Sequence, residues 1–258
     1  MASIDLSGKK GVVFGVANQR SIAWAISEAL INSGADLAFT YLNDRMRGPV
    51  EKTVADLDDP LLVECDATDA EQVKNVYEKA AARLGKVDFV VHCIAFADRD
   101  DLGGNFSAVS QDGFRTALVT SAYSLIPVTA EAVPYMPDEG GSVVTLSFDA
   151  AGRVYPGYNI MGTAKAALEN EVGQLASEFG PKGVRVNAIS AGPLATLSAR
   201  SIPGFNTMRK AFEERSPLGR NITHEEVANT ALFLLSDLSS GITGTVIPVD
   251  AGYTAMGI

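Results

Sequence analysis

The sequence predicts an α/β protein, a single doubly wound parallel sheet with helices on both faces. Short apolar runs alternate with helical stretches from Lys10 to Val249. The runs are continuous in Val, Ile, Leu and Phe, as strands covered on both faces are. No linker, repeat or low-complexity stretch divides the 258 residues, a length that one large domain accommodates.

Taken in order, Lys10–Gly15 reads as a buried strand ending at a glycine. Ser21–Ser33 is a helix with Ile22, Ala25, Ile26, Ala29 and Leu30 on one stripe, and Gly34 stops it. Asp36–Tyr41 is a strand, Arg45–Leu57 a helix and Leu61–Cys65 a strand. Thr68 and Glu71 have capping-box spacing and open a helix to Leu84. Val87–Ile94 is the fourth strand, and a loop with Gly103-Gly104 leads into a long helix from about Gln111 to Met136. The strand Ser142–Phe148 precedes a helix from about Tyr158 to Phe179. Val184–Ser190 is a strand, Thr223 and Glu226 box the start of a helix to Leu235, and Thr245–Val249 closes a sheet of about seven strands. The expectation is one Rossmann-type domain over residues 1–258, with its ligand at the carboxyl ends of the strands.

Composition excludes several classes. A net charge of −10 argues against nucleic acid and against an anionic membrane surface. Cys65 and Cys93 close apolar runs and read as small buried hydrophobes of a reducing compartment. Two histidines far apart in sequence, His92 and His224, argue against a metal site. Residues 1–5 lack a basic and apolar leader, and no apolar run approaches ~20 residues, so a cytoplasmic protein without a membrane span is expected.

The first strand-to-helix turn runs from Gly15 to Ala23 with one glycine, so the GxGxxG fingerprint fails as written. Two readings stay open. Gly15 can make the tight turn while the helix start at Ser21-Ile22 offers amides and a hydroxyl to a pyrophosphate; or the turn is an ordinary one capped by Ser21. The second strand ends at Tyr41-Leu42-Asn43-Asp44, with no base at its tip, which leans towards NADH. Arg45 and Arg47 on the next turn keep NADPH as the alternative. Asp66-Ala67 is placed either to cap an adenine or to make a plain turn. His92 lies in an apolar run and reads as a core histidine before a catalytic one.

Tyr158 and Lys165 stand seven residues apart within the expected helix, about two turns along one face. A phenol is a strong donor at neutral pH, and one held at a developing enolate or alkoxide oxygen stabilises it. A neighbouring ammonium lowers the phenol pKa and can donate to ribose hydroxyls.

These residues resemble a family. Gly15-x5-Ser21-Ile22-Ala23-Trp24-Ala25, His92-x-Ile94-Ala95-Phe96-Ala97, Ser121-Ala122-Tyr123-Ser124, Tyr158-Asn159-x-Met161-Gly162-x-Ala164-Lys165 and Gly183–Pro193 are similar to the short-chain dehydrogenase/reductases. Specifically, they resemble the bacterial NADH-dependent enoyl-[acyl-carrier-protein] reductases. Tyr-x6-Lys discriminates, since ordinary ketoreductases of the superfamily use Tyr-x3-Lys.

The resemblance implies hydride transfer from NADH to the β-carbon of a trans-2-enoyl thioester, with Tyr158 on the enolate oxygen and Lys165 on the nicotinamide ribose. It implies Gly15, Ser21, Ile22, Leu42, Asp66, Ala67, Ile94, Ala95, Leu194 and Thr196 around the dinucleotide. Phe96, Phe148, Met161, Leu197 and Ile202 would surround the acyl chain. An acyl carrier protein and a homotetramer are implied as partners, the latter through helices 111–136 and 158–179.

The chain departs from the family pattern at three places. Phe148 replaces a tyrosine ten residues before Tyr158, Ala195 replaces an arginine in Gly192–Thr196, and Leu42 replaces a glutamine. Residues 192–220 read as a lid, with an amphipathic Phe205–Phe212. The lid carries Arg200, Arg209, Lys210, Arg215 and Arg220 against Glu213 and Glu214, suited either to an acidic carrier or to a solvated face. The rival functions are another short-chain reductase, acting on a β-ketoacyl thioester or a small carbonyl, and a non-catalytic dinucleotide-binding regulator.

Overall fold

Alternating side chains on each strand bury into opposite layers, because successive residues of a strand point to opposite faces. The computed structural model describes residues 4–196, 199 and 202–257. Its strands are β1 (Lys10–Phe14), β2 (Asp36–Tyr41), β3 (Leu61–Glu64), β4 (Phe89–His92), β5 (Ser142–Ser147), β6 (Arg185–Ala191) and β7 (Val246–Val249). They form one sheet in the order β3-β2-β1-β4-β5-β6-β7, all parallel. The chain order reverses between β1 and β4, which opens the crevice where such sheets bind ligands.

The helices are α1 (Ile22–Asn32), α2 (Asp44–Thr53), α3 (Ala70–Leu84), α4 (Gln111–Leu118), α5 (Leu125–Ala132), α6 (Ile160–Phe179), α7 (Phe205–Arg215) and α8 (His224–Leu235). Val12, Phe14, Val90, Val143 and Val186 point to one layer, packed by α3, α5 and α6. Val13, Phe89, Val91, Val144 and Ile189 point to the other, packed by α1, α2 and α8. Each large aliphatic side chain so buried contributes about 1.5–3 kcal/mol.

Local chemistry corrects several boundaries. α2 starts at Asp44, because Asn43 caps the Met46 amide, and ends at Thr53. Thr68 does not cap α3. Asp69 does, accepting from Glu71 and Gln72, while the Thr68 hydroxyl donates to Asp66. Thr223 and Glu226 do form the reciprocal box at α8.

The long helix expected from Gln111 is broken by a wide π turn at Val119–Tyr123. Pro127 lies four residues beyond Tyr123, where its ring crowds that carbonyl and it has no N–H to give, so the chain widens there. An 18-residue window within 111–135 is nevertheless apolar enough, at a mean hydropathy of 1.2, to match a membrane span by length and composition. That departs from the run-based expectation, but half of that window is buried in the protein.

Candidate active site

β5 is the anchor of the site. Lys165, 5 % exposed on α6, donates from Nζ to the Leu146 carbonyl at 2.6 Å. Tyr158, also buried, sets its ring edge-on to Phe148, just past the strand, with centroids 5.1 Å apart. The two side chains are therefore gathered at one strand end, but not by a shared helical face.

Tyr158 lies outside α6. Asn159 at φ +36° breaks the helical path, and its side-chain amide donates to the Gly103 carbonyl. Tyr158 instead belongs to a turn closed by Tyr158 N to Tyr155 O and Met161 N to Tyr158 O, each 3.0 Å. This strained backbone fixes the direction in which the phenol enters the cleft.

Electrostatics set the two groups apart. Burial pushes the Tyr158 phenol well above its ordinary value, contrary to the lowering expected from Lys165. The phenol therefore stays a proton-bearing donor. Burial also pulls the Lys165 ammonium down to about 8, against the opposing influence of Cys93 and Glu169. One Nζ hydrogen is committed to Leu146, which leaves two donors.

A wall of aromatic side chains adjoins Tyr158. Phe148 packs on Tyr155 at 4.8 Å and on Phe212 of α7 at 6.2 Å, and Phe212 stacks on Tyr253 at 3.7 Å. Met161 and Met208 are buried in the same cluster, and Ile202 packs against it. The Tyr155 hydroxyl donates to Asp149 at 2.5 Å. Phe96 is half exposed and stands outside this cluster, and Leu197 lies outside the described residues. Of the others in this wall, Met208 and Phe212 fall in the amphipathic pattern at 205–212, and Tyr155 stands three residues before Tyr158 in the sequence, a spacing that lets it reach the same cleft; Tyr253 carries no local signature.

At the crevice, Gly15 has φ +96°, and a Cβ there would stand 2.1 Å from the Cys93 carbonyl. The residue must be glycine both for its backbone and for its approach to β4. Ser21 caps α1. Its oxygen accepts from Trp24 N and its hydrogen goes to Asn18 O at 2.7 Å, so the capping reading holds for the hydroxyl. The first helical amides, Ile22 and Ala23, are those a helix leaves for an anion.

Leu42 is exposed at the tip of β2, and Arg45 and Arg47 face solvent, the latter paired with Glu51. Asp66 accepts from the Thr68 amide and hydroxyl, while Ala67 is buried. Ile94 is partly buried and Ala95 exposed at the end of β4. The Leu194 side chain is taken up by the core, and Thr196 stands half-buried beyond it. Asp66, Ala67, Ile94 and Ala95 stand just beyond the carboxyl ends of β3 and β4, and the cradle at Gly15 is one that any side chain would fill.

His92 is fully buried between Thr145 (2.8 Å) and Ser124 (2.9 Å). The Ser124 hydrogen goes to Thr120 O, so Ser124 accepts from Nε2 and Thr145 donates to Nδ1. Burial, with Lys165 nearby, drops the imidazole to about 3 from 6.5. A histidine neutral in the native state takes its proton only on unfolding, so stability declines as pH falls below about 6.5. Melting followed from about pH 7 to pH 5 should show this decline, and His92→Gln should flatten it. Equal slopes in both proteins would refute the assignment. Among the described residues, no three His, Cys, Asp or Glu side chains cluster as metal ligands do.

Comparison with known proteins gives the family and the fold. The sequence model of the family described as enoyl-(acyl carrier protein) reductase matches residues 15–254. The chain is 48% identical to the enoyl-[acyl-carrier-protein] reductase [NADH] FabI of Nostoc sp., across 99% of this chain and 100% of that protein. The crystal structure of the Bacillus cereus enoyl-acyl carrier protein reductase with NADP+ and indole naphthyridinone superposes with a TM-score of 0.94. The two chains are 47% identical, covering 98% of this one and 99% of that one. The enzyme of Anaplasma phagocytophilum, crystallised with NAD, superposes at 0.93 with 43% identity over 98% and 96% of the two chains.

Proposed function

The chain belongs to the enoyl-(acyl carrier protein) reductase family, and on that premise we propose how its own residues carry the reaction. It is an oxidoreductase acting on a CH–CH bond, an NADH-dependent enoyl-[acyl-carrier-protein] reductase of fatty acid synthesis. When bound, the cofactor supplies the hydride to the β-carbon of the enoyl thioester.

Gly15 and the amides of Ile22 and Ala23 receive the pyrophosphate. Asp66, Ala67, Ile94, Ala95 and Thr196 line the rest of the dinucleotide path, and Lys165 turns its two uncommitted donors to the ribose. Tyr158 donates to the thioester oxygen as it becomes an enolate, and the buried wall around it excludes water. Phe148, Met161 and Ile202 flank the acyl chain, under a lid spanning about residues 192–220 of a single catalytic domain.

The observation that carries this reading is the joint burial of Tyr158 and Lys165 against the end of β5. The test is NADH and NADPH oxidation with crotonyl, dodecenoyl and acetoacetyl thioesters. Crotonyl and dodecenoyl reduction with NADH is expected; faster turnover of the acetoacetyl thioester would overturn the reading in favour of a ketoreductase.

For the carrier protein, the lid offers the exposed Arg215 at the end of α7, unpaired among the described residues, as its basic contact. Arg220, by contrast, is bound bidentately by Glu226, and Lys210 pairs with Glu214, so part of the lid's charge is structural. A homotetramer is the assembly we favour, supported by the exposed Phe114, Tyr123 and Ile126 along the α4–α5 stretch. A cytoplasmic setting accords with the free thiols of Cys65 and Cys93.

A further inference from the structure

We propose that Glu169, held in place by Ser147, is the counter-charge of Lys165, a positioning residue that keeps the ammonium protonated so that it can hold the cofactor. This rests on the reading of Lys165 as the ribose-binding cation.

The geometry comes first. Glu169 follows Lys165 by four residues on α6, the spacing that puts two side chains on one face a turn apart. Ser147 Oγ donates to Glu169 Oε1 at 2.5 Å. Lys165 Nζ donates to the carbonyl of Leu146, the residue before Ser147, at 2.6 Å. Two consecutive residues of β5 thus fix the ammonium and the carboxylate together. A serine that binds a half-buried carboxylate removes its rotamer freedom and holds its charge one helical turn from the lysine, beyond direct ion-pair contact.

The surrounding charges leave this role to Glu169. From the end of β4 and the residue after it, His92 and Cys93 face Lys165. Burial raises the Cys93 thiol to about 12 and depresses the His92 imidazole to about 3, so both are neutral at physiological pH. From the turn after β5, Asp149 faces Glu169 and disfavours its charge, but Asp149 is itself bound by the Tyr155 hydroxyl at 2.5 Å and lies 3.7 Å from Arg153. Burial raises the Glu169 carboxyl, while the Ser147 hydrogen bond and Lys165 lower it. Lys165, drawn down by burial to about 8, has Glu169 as the negative neighbour that opposes the loss of its proton.

The test reads NADH binding, by fluorescence, from about pH 6 to pH 9.5. The native protein is expected to lose affinity as pH rises through about 8, the value at which Lys165 gives up its proton. Glu169→Gln should move that midpoint down by about one pH unit, the size of effect a nearby opposite charge exerts, with affinity at pH 6 unchanged. Ser147→Ala should move it the same way by less, and it carries the test if Glu169→Gln does not fold. A merely structural role would weaken binding equally at every pH. An unmoved midpoint in the folded variants overturns the proposal. Lys165→Met separates the two claims. If it binds NADH as tightly as the native protein, the reading of Lys165 fails and the proposal with it. Weak binding by Lys165→Met with an unmoved Glu169→Gln midpoint sinks the counter-charge alone.

Discussion

Tyr158→Phe is expected to lower kcat by about 10²–10³-fold, the cost of removing one donor from an oxyanion site, with little change in KM for NADH. The reason for so large a loss is the lack of a substitute. Phe148, whose ring centroid is 5.1 Å from that of Tyr158, has no hydroxyl to offer. Tyr155 has one, but its hydrogen is given to Asp149 at 2.5 Å. Burial also holds the Tyr158 phenol above its ordinary value, so it remains a donor throughout the working pH range. The alkaline loss of activity should therefore follow Lys165, not Tyr158. The substitution removes a single oxygen and keeps the ring against Phe148, so the melting temperature should move little. Stopped-flow and steady-state turnover with a dodecenoyl thioester, beside thermal melting, decide the matter; a kcat within a factor of three of the native value would remove Tyr158 from the chemistry.

Much of the fold was legible because it is written locally. A strand such as Phe89–His92 is buried on both faces, so its residues must all be apolar or internally satisfied, and it reads as an unbroken run. Chain ends of elements were less legible. Thr68 and Asp69 both have the chemistry of a cap, and the choice went to Asp69 because Asp66 takes the Thr68 hydroxyl. That competition depends on where β3 ends and cannot be read from spacing. The π turn at 119–123 had a local cause in Pro127, but its use is non-local: it stands where Ser121 meets the backbone of Phe96 and Ser124 meets His92.

The site divides in the same way. Gly15 was readable as the residue that turns the chain, since the turn's only glycine follows an apolar strand. Its second reason, the Cys93 carbonyl in the space of a Cβ, belongs to the pairing of β1 with β4. The seven-residue offset of Tyr158 and Lys165 pointed to the right pair for an incomplete reason. Two turns of helix would align them, yet Asn159 takes Tyr158 out of the helix and β5 brings the two together. Tyr155 and Phe212 were marked by their place, three residues before Tyr158 and in the amphipathic 205–212 piece, but Tyr253, from a third segment, had no signal for its stacking on Phe212. Glu169 did have one, its four-residue spacing from Lys165, but that spacing is common on any helix and needed Ser147 to give it meaning.

Lys165→Met is expected to damage function while sparing, or raising, stability. Its two uncommitted donors are charged, and hydrogen bonds from charged groups are worth about 1.5–3 kcal/mol, so NADH affinity should weaken by about 10- to 100-fold. Stability responds in the opposite sense. Burial lowers the native pKa of Lys165 from 10.5 to about 8, which means the buried ammonium is less favourable than the same group in the unfolded chain. Between about 8 and 10.5 the unfolded state binds the extra proton, so the native protein should gain stability as pH rises through that window. Below it, the burden is on the order of 3 kcal/mol, one pKa unit being about 1.4 kcal/mol. Methionine removes the charge at similar length and volume. Against this stands the Leu146 carbonyl, which loses its 2.6 Å charged partner at a cost of about 1–3 kcal/mol. The balance favours the variant at neutral pH, with a melting temperature equal to or above the native one and no gain in stability from that lysine between about pH 8 and 10.5. Chemical denaturation at neutral and alkaline pH, paired with NADH titration, tests both halves. A variant that melts lower and binds NADH normally would show Lys165 to be a structural residue, and the site would then need another cation for the ribose.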